Sequence, residues 1–507
     1  MVTSKEENLN WQDYSVSKKV SLDNYVEKLL LPLALYKQMP LCHEAVADFL
    51  QRPQSERVDL QKAFFKELDD SALMTPYCGF IAKTKLEALR ADLEIYSRCM
   101  LYLARLAAHG GAFTIEQDKY LKALKPERLA ALKSALATSK LNYAECPDGQ
   151  RLFTHIDRQP LYAEMGIDIM SSGDNLMLAE FQVRYTSPYP HLLAKFFDAY
   201  KRLVPDLFER FKPQRERFAD RRALFIETAY ERMSSIMDGA PERLLIDAWA
   251  YLENYGANWK ALADSANMTY TLFDDFKKEQ NLTERKFRRS NIFVFNQPSL
   301  HLLDPDEAVF QPINSEKLET YPELAWPGLA RKVCDGSAYF LNSPVTDLIN
   351  DKALYSFLPD LAALLYGKEP TLPVIEAVPA WSLADPATPD RDMLEVVRAN
   401  QADYVITHRY LEGGLGIRVG AKETEEEWSS FLDTFVADRP YLYVYRKYFK
   451  MEPDVALRLL VSSLGQDAQL SSEPEMAFTD TVYGRFSPDG HITSETAWCF
   501  GVFAGEL

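Results

Sequence analysis

Residues 164–184 read EMGIDIMSSGDNLMLAEFQVR. Two runs of alternating character flank the turn-rich SSGDN, the pattern of a β-hairpin. With SSGDN as a five-residue loop, Met170 pairs with Leu176, Asp168 faces Leu178 and Gly166 faces Glu180. Side chains alternate along a strand, and opposed residues share a face. Asp168, Glu180 and Gln182 therefore project from one side, beside Gly166, Met170 and Leu178. Met165, Ile167, Ile169, Met177, Ala179, Phe181 and Val183 form a wholly apolar opposite side that can pack on a core. Two carboxylates and an amide oxygen on adjacent strands suit a hard cation such as magnesium, which takes one or two carboxylates together with phosphate oxygens and water. Arg184 continues on the oxygen-bearing side and suits an anionic phosphate or carboxylate. A solvated face of a half-polar sheet carries the same pattern.

The rest of the 507 residues bounds this reading. A chain of this length forms two to four structural units. Hydrophobic residues at 47% and charged residues at 26% describe an ordinary globular composition. The formal charge of -17 opposes nonspecific nucleic-acid binding, which needs a basic face. A local basic pocket in an acidic protein remains open to a nucleotide. The N-terminal MVTSKEENLNWQDYS has no signal-peptide core. The dense apolar run LLLPLALY at 29–36 is too short to span a bilayer, so a cytoplasmic location and no membrane partner are the expectation. Six cysteines lie without a C-x-x-C pair, as expected of buried free thiols in a reducing compartment. Seven scattered histidines form no zinc pattern.

Apolar residues recur at three- and four-residue spacing over 25–36, 45–50 and 86–108, and 125–139 is a further helix with Pro126 in its first turn. Residues 1–150 read as a helical layer with no evident nucleophile or ligand cluster. Beyond 150 the pattern becomes α/β. Strands are expected at 244–249, 268–273 and 291–296, with helices at 193–211 and 259–267; this alternation suggests a small parallel, Rossmann-like sheet. A helix at 352–365, a hairpin at 404–420, a helix at 424–436, a strand at 441–449 and a second hairpin at 478–503 complete the chain.

Three stretches in this second half carry chemistry. NSPVTDLINDK, 342–352, runs into a helix that begins at Lys352. A helix N-terminus disfavours a cation, so an anion that both recruit would explain the lysine, as would a plain surface position. DYVITHRYLEGGLGIRVG, 403–420, sets Gly413, Gly414 and Gly416 at a hairpin tip that can approach phosphates closely or close as a lid; an ordinary hairpin turn fits as well. PYLYVYRKYF, 440–449, with Tyr445 at its centre, can line an adenine slot or form a buried strand with a basic edge.

Together these stretches resemble the circularly permuted ATP-grasp family, which includes glutathionylspermidine synthetase. LMLAEFQVRYTSP looks like the family's metal-binding strand, with Asp168 as the preceding carboxylate ligand. NSPVTDLINDKALYSFLPDL looks like the segment of the first ATP lysine, EGGLGIRVG like the phosphate-covering loop, and YLYVYRKYF like the adenine hinge. The resemblance covers roughly residues 150–507. It implies an α/β (α+β) ATP-grasp fold in permuted order: a helical region over 1–150, a metal-binding part over 151–215, a substrate domain over 216–350, a nucleotide lid and hinge over 351–460, and returning strands over 461–507.

The implied cofactors are ATP and magnesium. The implied sites are Asp168, Glu180 and Gln182 on the metal; Lys352, Thr407, Gly413, Gly414, Gly416, Arg418 and Tyr445 on the nucleotide; and Arg184 and Arg485 as catalytic anion contacts. Two positions depart from the family's pattern. Gln182 stands where an asparagine is usual, and Thr407 stands where a second ATP lysine is expected. His408 and Arg409 are adjacent strand residues facing opposite sides, so neither is a clean replacement. The implied reaction is amide or peptide bond formation through an acyl phosphate, with a small-molecule carboxylate and an amine of the amino-acid, peptide or polyamine class as substrates. A degenerate ATP-grasp protein that binds nucleotide or a partner without turnover, or a kinase using the same site, fits the same motifs.

Overall fold

The computed structural model describes residues 79–108, 118–144, 163–172, 175–183, 348–410 and 416–449, strand segments at 243–246, 269–272, 292–295, 338–340, 455–463, 476–478, 482–486 and 498–505, and isolated positions within 53–59 and 201–205. The helices expected at 25–36, 45–50 and 259–267, most of the one at 193–211, and Arg184, Gly413 and Gly414 lie outside the described residues.

In chain order the elements are β1 (Gly79–Ala82), α1 (Lys83–Ala108), α2 (Pro126–Ala144), β2 (Ala163–Ser172), β3 (Asn175–Gln182), β4 (Arg243–Ile246), β5 (Thr269–Leu272), β6 (Ile292–Phe295) and β7 (Ala338–Phe340). They continue with α3 (Leu358–Tyr366), β8 (Ala377–Pro379), α4 (Arg391–Ala399), β9 (Tyr404–His408), β10 (Ile417–Val419), α5 (Glu425–Phe431), β11 (Tyr443–Lys447), β12 (Val455–Ser463), β13 (Met476–Phe478), β14 (Val482–Phe486) and β15 (Trp498–Gly505).

Three sheets organise them. A seven-stranded sheet runs β1-β15-β14-β12-β2-β3, with β13 also paired to β12. A four-stranded antiparallel sheet runs β10-β9-β11-β8, and a four-stranded parallel sheet runs β5-β4-β6-β7. The strands expected at 244–249, 268–273 and 291–296 are β4, β5 and β6, side by side and parallel; their crossovers lie outside the described residues. The N-terminal region is not helical throughout. It contributes β1, which pairs in parallel with the C-terminal β15, so the chain's beginning and end close one sheet. Four residues of GFIA are too short a run to announce a strand beside a 26-residue helix. The β12 strand also straddles the expected division at 460.

The hairpin expected over 164–184 forms, with a different register. The turn is tighter than expected, since Ser172 pairs with Asn175 and Met170 with Met177. Continued without interruption, that register would set Glu180 opposite Ile167, on the apolar face. A bulge at Ala179 inserts one extra residue, after which Asp168 pairs with Glu180 and Gly166 with Gln182. The common face of Asp168, Glu180 and Gln182 is thus restored by a different route. Leu178, expected beside the carboxylates, instead pairs with Ile169 and is fully buried.

Helix α1 buries Leu86, Leu89, Leu93, Tyr96, Met100 and Leu103, one stripe at three- and four-residue spacing. Asp92 on α1 accepts from the backbone N–H groups of Thr371 and Leu372, both at 2.9 Å, and the Tyr96 hydroxyl donates to the Leu372 carbonyl at 2.8 Å. The anchored segment then pairs with β3: Leu178 N–H donates to Pro373 at 2.8 Å and Ile375 N–H to Leu178 at 3.1 Å. The helix expected at 352–365 is split. A 3-10 turn, Lys352–Phe357, precedes α3, where Pro359 occupies the first turn and cannot donate. Thr424 and Glu427 close a capping box on α5. The four-stranded antiparallel sheet packs Ile406, Tyr443 and Tyr445 against Trp428 and Phe431 of α5 and Val397 of α4.

A buried ion pair joins three of these elements. The Arg409 guanidinium grips Asp351 through Nε at 2.9 Å and Nη2 at 2.5 Å, both side chains fully buried. It also donates to Thr138 Oγ1 and the Ala135 carbonyl on α2 and to the Tyr441 carbonyl, and it stacks 4.5 Å from the centre of the Trp381 ring. A buried cation is tolerated when paired and fully hydrogen-bonded, and removing one partner of such a pair costs about 3–5 kcal/mol. Arg409→Met is expected to lose stability on that scale in denaturant unfolding, and the Asp351→Leu/Arg409→Met double variant less than the sum of the two singles. A loss below about 1 kcal/mol in both singles, the range of surface pairs, would show that this junction does not hold the elements together.

Candidate active site

The carboxylate face of β2 and β3 continues across the seven-stranded sheet. Arg458 on β12 pairs directly with Asp168, and Arg485 on β14 pairs with Ala456, two residues along from Arg458. The alternation therefore puts both arginines on the Asp168 side. Arg458 binds Asp168 through both carboxylate oxygens, at 2.6 Å each, and Arg485 adds a third contact at 2.6 Å. All three side chains are buried. Burial alone would raise the Asp168 pKa, but the Arg458 and Arg485 guanidiniums outweigh it and hold the carboxyl below its usual value.

A continuous polar path leads from this cluster to Lys352. The Gln182 amide donates to Asp168 at 3.4 Å and to Glu180 at 2.5 Å, and the Lys352 ammonium lies 3.4 Å from the other Glu180 oxygen. Lys352 is almost wholly buried, whereas the Glu180 side chain retains 19% exposure. Local structure fixes this meeting. Asp351 caps the 3-10 turn by accepting from Ala353 N–H at 3.0 Å. The Tyr355 hydroxyl accepts from Phe181 N–H at 3.1 Å and donates to the Ile349 carbonyl at 3.0 Å, and Asn350 accepts from Val183 N–H at 2.9 Å. Lys352 N–H itself donates to the Arg409 carbonyl at 3.3 Å. From the antiparallel sheet, Arg446 reaches across to donate to the Ala179 carbonyl, the bulge residue, at 2.7 Å.

The sequence-expected residues divide into three groups. Asp168, Glu180, Gln182, Lys352 and Arg485 come together. Thr407 lies on the Arg446 side of its sheet, fully buried, and its hydroxyl has no partner among the described residues. Gly416 has φ 67° and closes the described part of the hairpin by accepting from His408 N–H at 2.9 Å. Tyr445 and Arg418 are not brought to this place. Both lie on the opposite face of the antiparallel sheet, Tyr445 inside the α4–α5 core and Arg418 over the Phe431 ring and paired with Glu423. Alternation along a strand of mixed aromatic and basic residues could not choose between Tyr445 and Arg446. Arg458 was missed altogether. Its signal was a lone charge in VALRLLV, where a buried cation demands a partner; Arg446 had the weaker signal of a basic residue ending an aromatic strand.

The expected magnesium set is only partly available. Among the described residues no group of three or more histidine, cysteine or acidic side chains can hold a metal ion. Both oxygens of Asp168 are occupied by arginines, which makes it a counter-ion where the sequence suggested a ligand. The donor set as assembled does not fit a metal held by Asp168, Glu180 and Gln182. It suits an anion better, because Lys352, Arg446, Arg458 and Arg485 gather around Glu180 and Asp168, and Arg485 Nε is buried without a hydrogen-bond partner among the described residues.

A carboxylate whose pKa is depressed on folding stabilises the protein above its unfolded value, about 3.9, and ceases to do so as pH falls through the folded value. Asp168→Asn, which leaves two guanidiniums without their charge partner, is expected to cost about 3–5 kcal/mol near neutral pH. The gap from the native chain is expected to narrow progressively below about pH 4, read as denaturant midpoints across pH. A gap independent of pH would exclude the ionised carboxylate as its source.

Residues 307–463 match the family described as circularly permuted ATP-grasp type 2. No curated protein matches the chain. Similar solved structures include a glutathione synthetase-like effector from Globodera pallida in its apo form, at 9% identity, covering 90% of this chain and 98% of that one with a TM-score of 0.48. A candidate gamma-glutamylcysteine synthetase from Methylobacillus flagellatus KT has 11% identity, coverage of 74% and 87%, and a TM-score of 0.33. The matched segment contains Asp351, Lys352, Thr407, Arg446 and Arg458, and it is this part of the chain that is similar to the circularly permuted ATP-grasp family.

Proposed function

We propose that this chain is an ATP-dependent ligase that joins a small-molecule carboxylate to an amine through an acyl phosphate. The observation that carries the reading is the polar path from Lys352 through Glu180 and Gln182 to Asp168, Arg458 and Arg485, which gathers three cations in one place. A triphosphate is an anion suited to that concentration of positive charge. In this reading Lys352 binds nucleotide phosphate, and Arg485, with its Nε available, meets phosphate or the substrate carboxylate as a planar fork.

The carboxylate oxygen attacks the γ-phosphorus of ATP, the bond to the β–γ bridging oxygen breaks, and ADP leaves. The amine then attacks the acyl carbon, and phosphate leaves with loss of one amine proton. Fixed positive charge at the migrating phosphoryl group stabilises the transition state without a protein nucleophile. Glu180 sits between the Lys352 ammonium and the Gln182 amide, where it orients the lysine and is placed to receive a proton. No step is assigned through a metal at Asp168, for the reason of its arginine partners given above. The tip that carries Gly413 and Gly414 is the segment proposed to cover the phosphates. Substrates of the amino-acid, peptide or polyamine class follow from the family reading.

A second reading, nucleotide binding without turnover, is favoured by the two arginines on Asp168 and by the absence of a lysine at Thr407. ADP release by the full chain, with ATP, magnesium and mixtures of amino acids, peptides and polyamines, separates the two, with mass spectrometry for an amide product. The ligase reading predicts acceptor-dependent ADP release and an amide, and a fall of about 100-fold or more in Lys352→Met and Glu180→Gln. Saturable ATP binding with no ADP release for any mixture would favour the binding protein. A stable phosphorylated product would mark a kinase.

A further inference from the structure

Arg446 is a buried cation with little negative charge around it among the described residues. It is 9% exposed, and among the described residues its hydrogen bond goes to a neutral acceptor, the Ala179 carbonyl, at 2.7 Å. Burial lowers its pKa, opposed by Glu180 and then Tyr355. Among the described residues Glu180 is the carboxylate that acts on it, and Glu180 also carries Lys352 at 3.4 Å. A guanidinium tie between sheets needs no such place. An uncompensated buried charge is costly unless a ligand of opposite sign completes it.

Register links Arg446 to Thr407. On β11 and β9, Arg446 pairs with Val405 and Val444 with Thr407. Val405 and Thr407 share a face, so Arg446 and Thr407 share it too, as diagonal neighbours on adjacent strands. Thr407 is fully buried, and its hydroxyl lacks a partner among the described residues. A cation bonded to a neutral acceptor and a hydroxyl without a partner among the described residues are therefore neighbours on one face. Arg409, the other basic residue on that side of β9, is fully engaged by Asp351, and His408 points into the aromatic core beside Tyr443.

We propose that Arg446 supplies, from β11, the phosphate-facing positive charge that β9 lacks at Thr407, so that Lys352 and Arg446 flank the anionic tail of the nucleotide next to Glu180. The proposal rests on the nucleotide reading above. Adjacent strands lie about 5 Å apart, and arginine is longer than lysine and forked, so a charge moved by one strand still reaches the same anion.

The test is calorimetric titration of the folded full chain with ATP, ADP and AMP. Arg446→Met is expected to weaken ATP binding about tenfold or more, the scale of one charge-assisted hydrogen bond, and AMP binding far less, because AMP lacks the distal phosphates. Arg446→Lys is expected to retain most ATP affinity. Thr407→Lys placed in the Arg446→Met background is expected to restore ATP over AMP preference. A merely structural tie would weaken all three nucleotides alike, in Arg446→Lys as well, with no rescue by Thr407→Lys, and that result would overturn the proposal. Unchanged ATP affinity in folded Arg446→Met, with Lys352→Met still weakened, would overturn it alone. No saturable binding of any nucleotide by the native chain would overturn the nucleotide reading and this proposal with it.

Discussion

Buried charge has to be matched, and the arrangement of this molecule follows from how it is matched. Asp168 neutralises Arg458 and shares a contact with Arg485; Asp351 neutralises Arg409; Glu180 stands between Lys352 and Arg446. The first two groups have direct pairs with full bidentate geometry. In the third, two cations share one carboxylate among the described residues, and this group lies where two sheets meet. In a protein of net charge -17, positive charge concentrated in one buried place is the physical ground for the anion site proposed there.

The sheets are held in position by ordinary means. Helix α1 fixes residues 371–372, which fix 373–375, which pair with Leu178. The next residue is the bulge at Ala179, and the one after it is Glu180. The bulge has two consequences. It keeps Glu180 on the Asp168 side despite a tight turn, and it turns the Ala179 carbonyl to Arg446. The Arg409–Asp351 pair works from the other direction, since Asp351 caps the turn that starts with Lys352 and Arg409 leads into the glycine-rich tip. One face of the site is thereby built by the seven-stranded sheet and the other by the antiparallel sheet and the 3-10 turn.

Much of this was legible in the sequence, for identifiable reasons. Alternation in EMGIDIM and LMLAEFQ marked the hairpin and its oxygen-bearing face, because a shift of two residues in register preserves the face even when the partners change. The strands β4, β5 and β6 were readable as short apolar runs with β-branched and aromatic residues. The strand β1 was not, because four residues pair with a strand more than four hundred positions away and leave no local pattern. Long-range charge pairing was equally hidden. Nothing local connects Asp168 to Arg458 or Arg485, so a carboxylate that resembled a metal ligand proved to be held by arginines. Tyr445 and Arg446 show the same limit on a smaller scale: composition named the strand, and only the register told which side chain faces β3.

The central claim is that this cationic cluster is a polyphosphate site. A crystal structure of the chain with a nonhydrolysable ATP analogue tests it most directly. The account places the triphosphate beside Glu180, within hydrogen-bonding reach of Lys352 and Arg485. A nucleotide bound elsewhere, with the Lys352, Glu180 and Arg485 side chains unchanged and untouched, would contradict it.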